Sequence, residues 1–200
     1  MLIGLCGYAR SGKDTVADCL KGFKKLAFAS ALKREVQRML DVSSEKGGSV
    51  VDDKDKIKYR PLLVAWGAIK RSIKPDYWIR KLATAYNKVC ADDIVITDVR
   101  YKNEIDWIHE MNGIVIMLAR PGYGPANEEE KKSFGEILDS KTTGIDYTIV
   151  NDGSLADLKL KTKAILNKLE KDRDKYKRKD KYLFNEYELR DNRNRTKWYQ

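Results

Sequence analysis

The stretch Gly7-Tyr8-Ala9-Arg10-Ser11-Gly12-Lys13-Asp14-Thr15 combines glycines, a lysine and a hydroxyl at the spacing of a phosphate-binding loop. Glycines let the backbone curl until successive N–H groups face an anion, and a helix starting behind the loop adds its positive end. Lys13 is then within reach of the terminal phosphates of a nucleoside triphosphate. In the commonest form of this loop the residue after the lysine is Ser or Thr, whose hydroxyl touches magnesium; here Asp14 takes that place and Thr15 follows. A carboxylate can hold magnesium through a water, whereas direct contact with phosphate is repulsive. The residues expected at the phosphates are therefore Gly7, Arg10, Ser11, Gly12, Lys13, Asp14 and Thr15.

A second set of charged residues falls where strands or helices end. The β-branched run Ile94-Val95-Ile96-Thr97 stops at Asp98-Val99-Arg100. An acid at the end of such a strand, beside a phosphate loop, is placed to support magnesium, with Asp14 as the other candidate metal contact and Arg100 aimed at phosphate. The bland alternative is that Asp98 caps the next helix. Lys33 and Arg34 belong to the first turn of a basic helix, and ligands gather at the C-terminal edges of parallel strands, so both are candidates for an acceptor phosphate. Arg71 and Arg80 join them because guanidinium forks onto phosphate. Residues 123–144 are glycine-punctuated and charged, with a short helix expected around 128–138, and read as a lid that would bring Arg120 or Lys132 to a transferred group.

The elements that must position these residues follow from periodicity. Leu2–Cys6 has the length and apolarity of a buried strand, and Thr15–Leu20 continues with helical spacing. Leu26–Ala29 reads as a second strand, with Ser30 as N-cap of the basic helix. Residues 43–58 read as a mobile loop, and Pro61 suits the first turn of a helix through Trp66 and Ile69. Pro75-Asp76 restarts a helix whose Trp78, Ile79, Leu82, Ala83 and Tyr86 form an apolar face. Further strands are expected at Ile114–Leu118 and Tyr147–Val150, the first of them preceded by a helix from Asn103 to Met111 that stops at Asn112-Gly113. Ser154 and Asp157 make a capping box for a long last helix through Leu169.

Two hundred residues, 42% of them hydrophobic, suffice for one α/β domain with a substantial core. No apolar run approaches the roughly 20 residues of a membrane helix, and no signal-peptide pattern is read, so a cytoplasmic protein is expected, in the host cytoplasm if the source is viral. Cys6, Cys19 and Cys90 lack metal-ligand spacing and read as reduced core cysteines; His109 reads as solvated. The formal charge of +10 suits a protein that handles polyanions, but much of the excess lies beyond Lys159. The expected organisation is a domain over 1–170, with its lid at about 121–144, and a charged tail over 171–200 dispensable for chemistry.

The order of these motifs resembles bacteriophage deoxynucleoside monophosphate kinases. The resemblance rests on Arg10-Ser11-Gly12-Lys13-Asp14-Thr15, Ala31-Leu32-Lys33, Trp66-Gly67 with Arg71, Asp76-Tyr77-Trp78 and Thr97-Asp98-Val99-Arg100 with Asn103-Glu104. It continues through Arg120-Pro121-Gly122, Asp146-Tyr147 and Asn151-Asp152-Gly153. It implies a three-layer α/β P-loop kinase fold, a five-stranded parallel sheet flanked by helices, ATP and Mg2+ as cofactors, and γ-phosphoryl transfer to a deoxynucleoside monophosphate. The lid departs from the family pattern, because Lys131-Lys132-Ser133-Phe134 lacks the histidine of the usual His-x-Ser-Glu. In that scheme Lys13, Asp98, Arg100 and Arg120 are catalytic, and Lys33, Arg34 and Arg71 bind the acceptor. Small-molecule substrates are the expected partners; nucleic acid is not required, and a homodimer is left open. Competing readings are a P-loop kinase for another small phosphorylated metabolite, a nucleotide-gated switch, against which no guanine-reading Asn-Lys-x-Asp stretch is found, and a nucleic-acid-binding P-loop protein using the basic tail.

Overall fold

A computed structural model describes residues 1–40, 56–139, 143–177 and 179. The strands are β1 (Leu2–Cys6), β2 (Lys24–Leu26), β3 (Ile94–Val99), β4 (Ile114–Ala119) and β5 (Tyr147–Val150). The helices are α1 (Lys13–Cys19), α2 (Phe28–Met39), α3 (Lys56–Ile73), α4 (Tyr77–Lys88), α5 (Lys102–Glu110), α6 (Glu128–Asp139) and α7 (Leu155–Lys171). A 3-10 turn at Arg173–Tyr176 follows α7.

The strands form one sheet in the order β2-β3-β1-β4-β5, every neighbouring pair parallel. Parallel sheets need both faces covered, and strand alternation divides the apolar residues accordingly. Leu2, Cys6, Ile94, Ile96 and Val115 face one core with Phe28, Trp78, Tyr86, Trp107 and Phe134. Ile3, Leu5, Val95, Ile114, Ile116 and Leu118 face the other, with Val16 of α1 and Leu158 and Leu169 of α7. The result is a three-layer fold with α1 and α7 on one face and the other helices opposite.

Several boundaries move from those expected. The second strand is Lys24–Leu26, and Phe28 and Ala29, read as its end, open α2; Ser30 lies inside that helix, whose N-cap is Ala27. The cause is tertiary: the Asp98 carboxylate accepts the N–H groups of Phe28 and Ala29, both at 2.8 Å, and so caps α2 from across the sheet. Pro61 is inside α3, which starts at Lys56. The expected loop at 43–58 lies outside the described residues except for its last three, which are helical. Of the cysteines only Cys6 is fully buried, and Cys90 is exposed. His109 is half-buried and pairs with Asp146 at 2.9 Å.

The segment after α7 is docked. Arg173 donates through Nη2 to both oxygens of Asp93 at 2.9 and 2.8 Å, Tyr176 packs against the second core, and Tyr86 donates its hydroxyl to the Lys179 carbonyl at 2.7 Å. Asn112 adds bonds to the carbonyls of Lys175 and Lys177. The rest of the expected tail, residues 178 and 180–200, lies outside the described residues. A chain ended after residue 170 should therefore melt several degrees below one ended after Lys179, a loss of about 1–3 kcal/mol. Equal melting temperatures by circular dichroism would show that these contacts contribute nothing.

Candidate active site

The C-terminal ends of the parallel strands converge where β1 separates β3 from β4, and the loop Gly7–Gly12 fills that crevice. The loop takes a shape few residues tolerate: Gly7 and Gly12 have φ of 140° and 106°, and Arg10 is left-handed at 64°. A Cβ on Gly7 would come within 2.4 Å of the Leu118 carbonyl oxygen, and one on Gly12 within 2.9 Å of the Asn151 amide nitrogen. Asn151, just past β5, donates to the Ser11 carbonyl at 3.0 Å and ties the loop to the far side of the sheet. Lys13 opens α1 and folds back, its ammonium donating to the carbonyls of Gly7 and Tyr8 at 2.6 and 2.7 Å. Burial, then the charge of Arg100, loosens its hold on its proton; Glu130, Asp14 and Cys6 act in the opposite sense. Cys6 beneath it is pushed up to about 12 by burial and stays a thiol.

Asp98 and Arg100 sit at the end of β3, close enough for their charges and that of Lys13 to influence one another. Burial raises the proton affinity of Asp98, opposed by its bonds from Ala29 and Phe28 and then by Arg100 and Lys13. Glu104 accepts the backbone N–H groups of Arg100 and Tyr101 at 2.8 and 3.2 Å, fixing the turn that aims Arg100. Glu104 is buried, and burial pushes its carboxyl up to about 7 against the pull of those N–H groups and Arg71. Because the folded chain binds this proton more tightly than the ordinary 4.5, the stabilisation is full below that pH and is lost as pH rises towards 7. The stability of the unmodified protein relative to Glu104→Gln should accordingly fall by about 1–3 kcal/mol between pH 4.5 and 8. A pH-independent difference in denaturant midpoints would contradict this.

Arg120 follows β4 and donates to the Arg10 carbonyl at 3.2 Å, stacked 4.4 Å over the Tyr123 ring. It therefore flanks the loop on the side opposite Arg100. Asp14 is exposed and Thr15 half-buried at the start of α1, so the hydroxyl shares the helix N-terminus with the carboxylate. Arg71 lies 3.9 Å over the ring of Tyr101 and 3.4 Å from Glu129, and Tyr101 donates its hydroxyl to that same carboxylate. Lys33 is half-buried and Arg34 exposed on α2. Arg80 pairs with Asp76 one turn back at 2.6 Å, and Lys132 points outward on α6.

Sequence reading did not single out Asn151, Glu104 or the acidic pair Glu129 and Glu130 as site residues. Three consecutive glutamates at 128–130 fall in the charged segment read as a lid, and only the packing of α6 shows that the third is turned inward. Burial is uneven among the described residues of the segment expected as a lid. Phe134 and Ile137 of α6 are fully buried in the first core, with the Tyr8 and Phe134 rings 4.7 Å apart, whereas Pro121–Ala126 is exposed throughout.

A phosphate loop joining the central strand of a five-stranded parallel sheet to a helix, with cations and a carboxylate at the same edge, defines the P-loop kinase fold. A family model described as phosphomevalonate kinase matches residues 5–113, more than half of the chain, and the chain belongs to that family. It is also 28% identical over 181 residues to a protein of Acanthamoeba polyphaga mimivirus provisionally named a deoxynucleotide monophosphate kinase, covering 78% of this chain and 90% of that one. Among solved structures, the dephospho-CoA kinase of Campylobacter jejuni is similar with a TM-score of 0.49 at 14% identity, over 86% of this chain and 98% of that one. TT1252 of Thermus thermophilus gives 0.45 at 21% identity, over 84% and 97%. No helix among the described residues is long and apolar enough to cross a membrane.

Proposed function

We propose that the protein transfers the γ-phosphoryl group of ATP to a deoxynucleoside monophosphate, giving the diphosphate. The observation that carries the donor half is the convergence of Lys13, Asp98 and Arg100 beside the Gly7–Gly12 loop. Phosphoryl transfer requires alignment of donor and acceptor and neutralisation of charge spreading over the transferred group. The loop N–H groups and Lys13 hold the β- and γ-phosphates, and Arg100 and Arg120 approach from opposite sides. Lys33, Arg34 and Arg71 take the acceptor phosphate; Arg71 must exchange Glu129 for it, while the Tyr101 ring keeps the guanidinium flat.

Magnesium suits this donor set, because kinases hold it with one or two carboxylates and the substrate phosphates rather than an all-protein cage. Asp98 would support the ion through lone pairs its two N–H bonds leave free, with Asp14 and Thr15 at the helix start. When bound, the ion would neutralise charge on the β- and γ-phosphates.

The match to the phosphomevalonate kinase family favours a second reading in which the acceptor is another small phosphorylated metabolite. Both readings share the donor side and differ only in the acceptor. The deciding experiment offers ATP and magnesium with the common deoxynucleoside and ribonucleoside monophosphates, phosphomevalonate and a no-acceptor control. Diphosphate from a deoxynucleoside monophosphate supports the first reading; product from phosphomevalonate alone supports the second.

A further inference from the structure

Glu130 is a buried acid inside this site without a role in the scheme above. Its residue is 2% exposed, and its two oxygens are in different situations. Oε2 accepts the Ala126 N–H at 2.6 Å, and the Asn127 side chain accepts the Glu130 N–H at 2.8 Å, so the two residues together cap α6. Oε1 is buried and has no hydrogen-bond partner. It lies 4.0 Å from the Arg100 guanidinium, and its charge also reaches Lys13. A cap needs one acceptor, and a neutral glutamine would supply it. A buried carboxylate with one idle oxygen is costly unless its charge has a use. Its surroundings supply one: Lys13 and Arg100 are two like charges held close together at a partly buried edge.

We propose that Glu130 is an internal counter-ion and positioning residue of the phosphate site, its carboxylate holding Arg100 and offsetting the repulsion between Arg100 and Lys13 until a triphosphate enters. The inference rests on the kinase reading above. An incoming polyphosphate supplies the negative charge itself and then competes with Glu130 for Arg100. The carboxylate thus keeps the empty site assembled and sets a ceiling on nucleotide affinity, which favours release of product.

The test is calorimetric titration of the full-length protein with ATP and magnesium, without acceptor, in the unmodified chain, Glu130→Gln, Arg100→Gln and the double variant. Glutamine keeps the acceptor that caps α6 and removes the charge. Glu130→Gln should bind ATP on the order of tenfold more tightly, because Arg100 no longer has to exchange a carboxylate for the phosphates. The gain should shrink to within about twofold in the Arg100→Gln background, where the competing pair is already broken. Unchanged or weaker binding by folded Glu130→Gln would overturn the proposal and leave Glu130 as a helix cap. A full gain without Arg100 would equally overturn it, because the carboxylate would not act through that guanidinium. If Glu130→Gln does not fold by circular dichroism, Glu130→Asp is titrated instead; it withdraws the charge from Arg100 by one carbon, and tighter binding is again required. ATP binding by the unmodified chain separates this inference from the kinase reading: its absence would overturn both, whereas its presence with no gain in the variant overturns this one alone.

Discussion

Lys13→Ala is expected to lower the turnover of phosphoryl transfer by about a hundredfold or more while leaving the fold intact. The ammonium is already held at the mouth of the loop by the Gly7 and Tyr8 carbonyls, so it meets the phosphates with little reorganisation. Its attraction grows as charge develops on the transferred group, and loss of one such preorganised contact typically costs about 10²–10³ in rate. Stability should hold, because the substitution removes a positive charge that burial and Arg100 already disfavour. The measurement is product formation from the best acceptor found in the panel, alongside a thermal melt. A Lys13→Ala protein that melts normally and turns over within about threefold of the unmodified chain would remove the loop from the chemistry.

Asp98→Asn should damage the protein in two separable ways. Each oxygen of Asp98 accepts one N–H of α2, and an asparagine can satisfy only one while turning its own N–H2 toward the other. The orphaned N–H should cost about 1–3 kcal/mol, visible as a lowered melting temperature. If the carboxylate also supports magnesium, turnover should fall by about a hundredfold and need more magnesium for half-maximal rate. Asp14→Ser is the comparison: the side chain is exposed, the change restores the usual hydroxyl, and activity should survive. A magnesium titration of all three proteins decides the issue. A less stable Asp98→Asn enzyme with normal turnover and unchanged magnesium dependence would reduce this carboxylate to the cap of α2.

The elements legible in the sequence were those whose signals are local. β1 and β5 fall where expected, Leu2–Cys6 and Tyr147–Val150, because a short apolar run between turn residues admits little else. The capping box at Ser154 and Asp157 and the left-handed Asn112 are likewise written in a few consecutive residues. The phosphate loop needs glycine where φ is positive, and glycine is visible in the chain. What the sequence could not determine is which long-range partner a local group would find. Leu26–Ala29 is apolar and strand-like alone, yet two of its N–H groups are taken by a carboxylate some 70 residues away, and the chain turns helical there. Glu128, Glu129 and Glu130 are indistinguishable as letters; the angle at which α6 packs leaves the first exposed, gives the second to Arg71 and Tyr101, and buries the third beside Arg100. Charge alone does not encode direction, and direction is what separates a solvated face from a site.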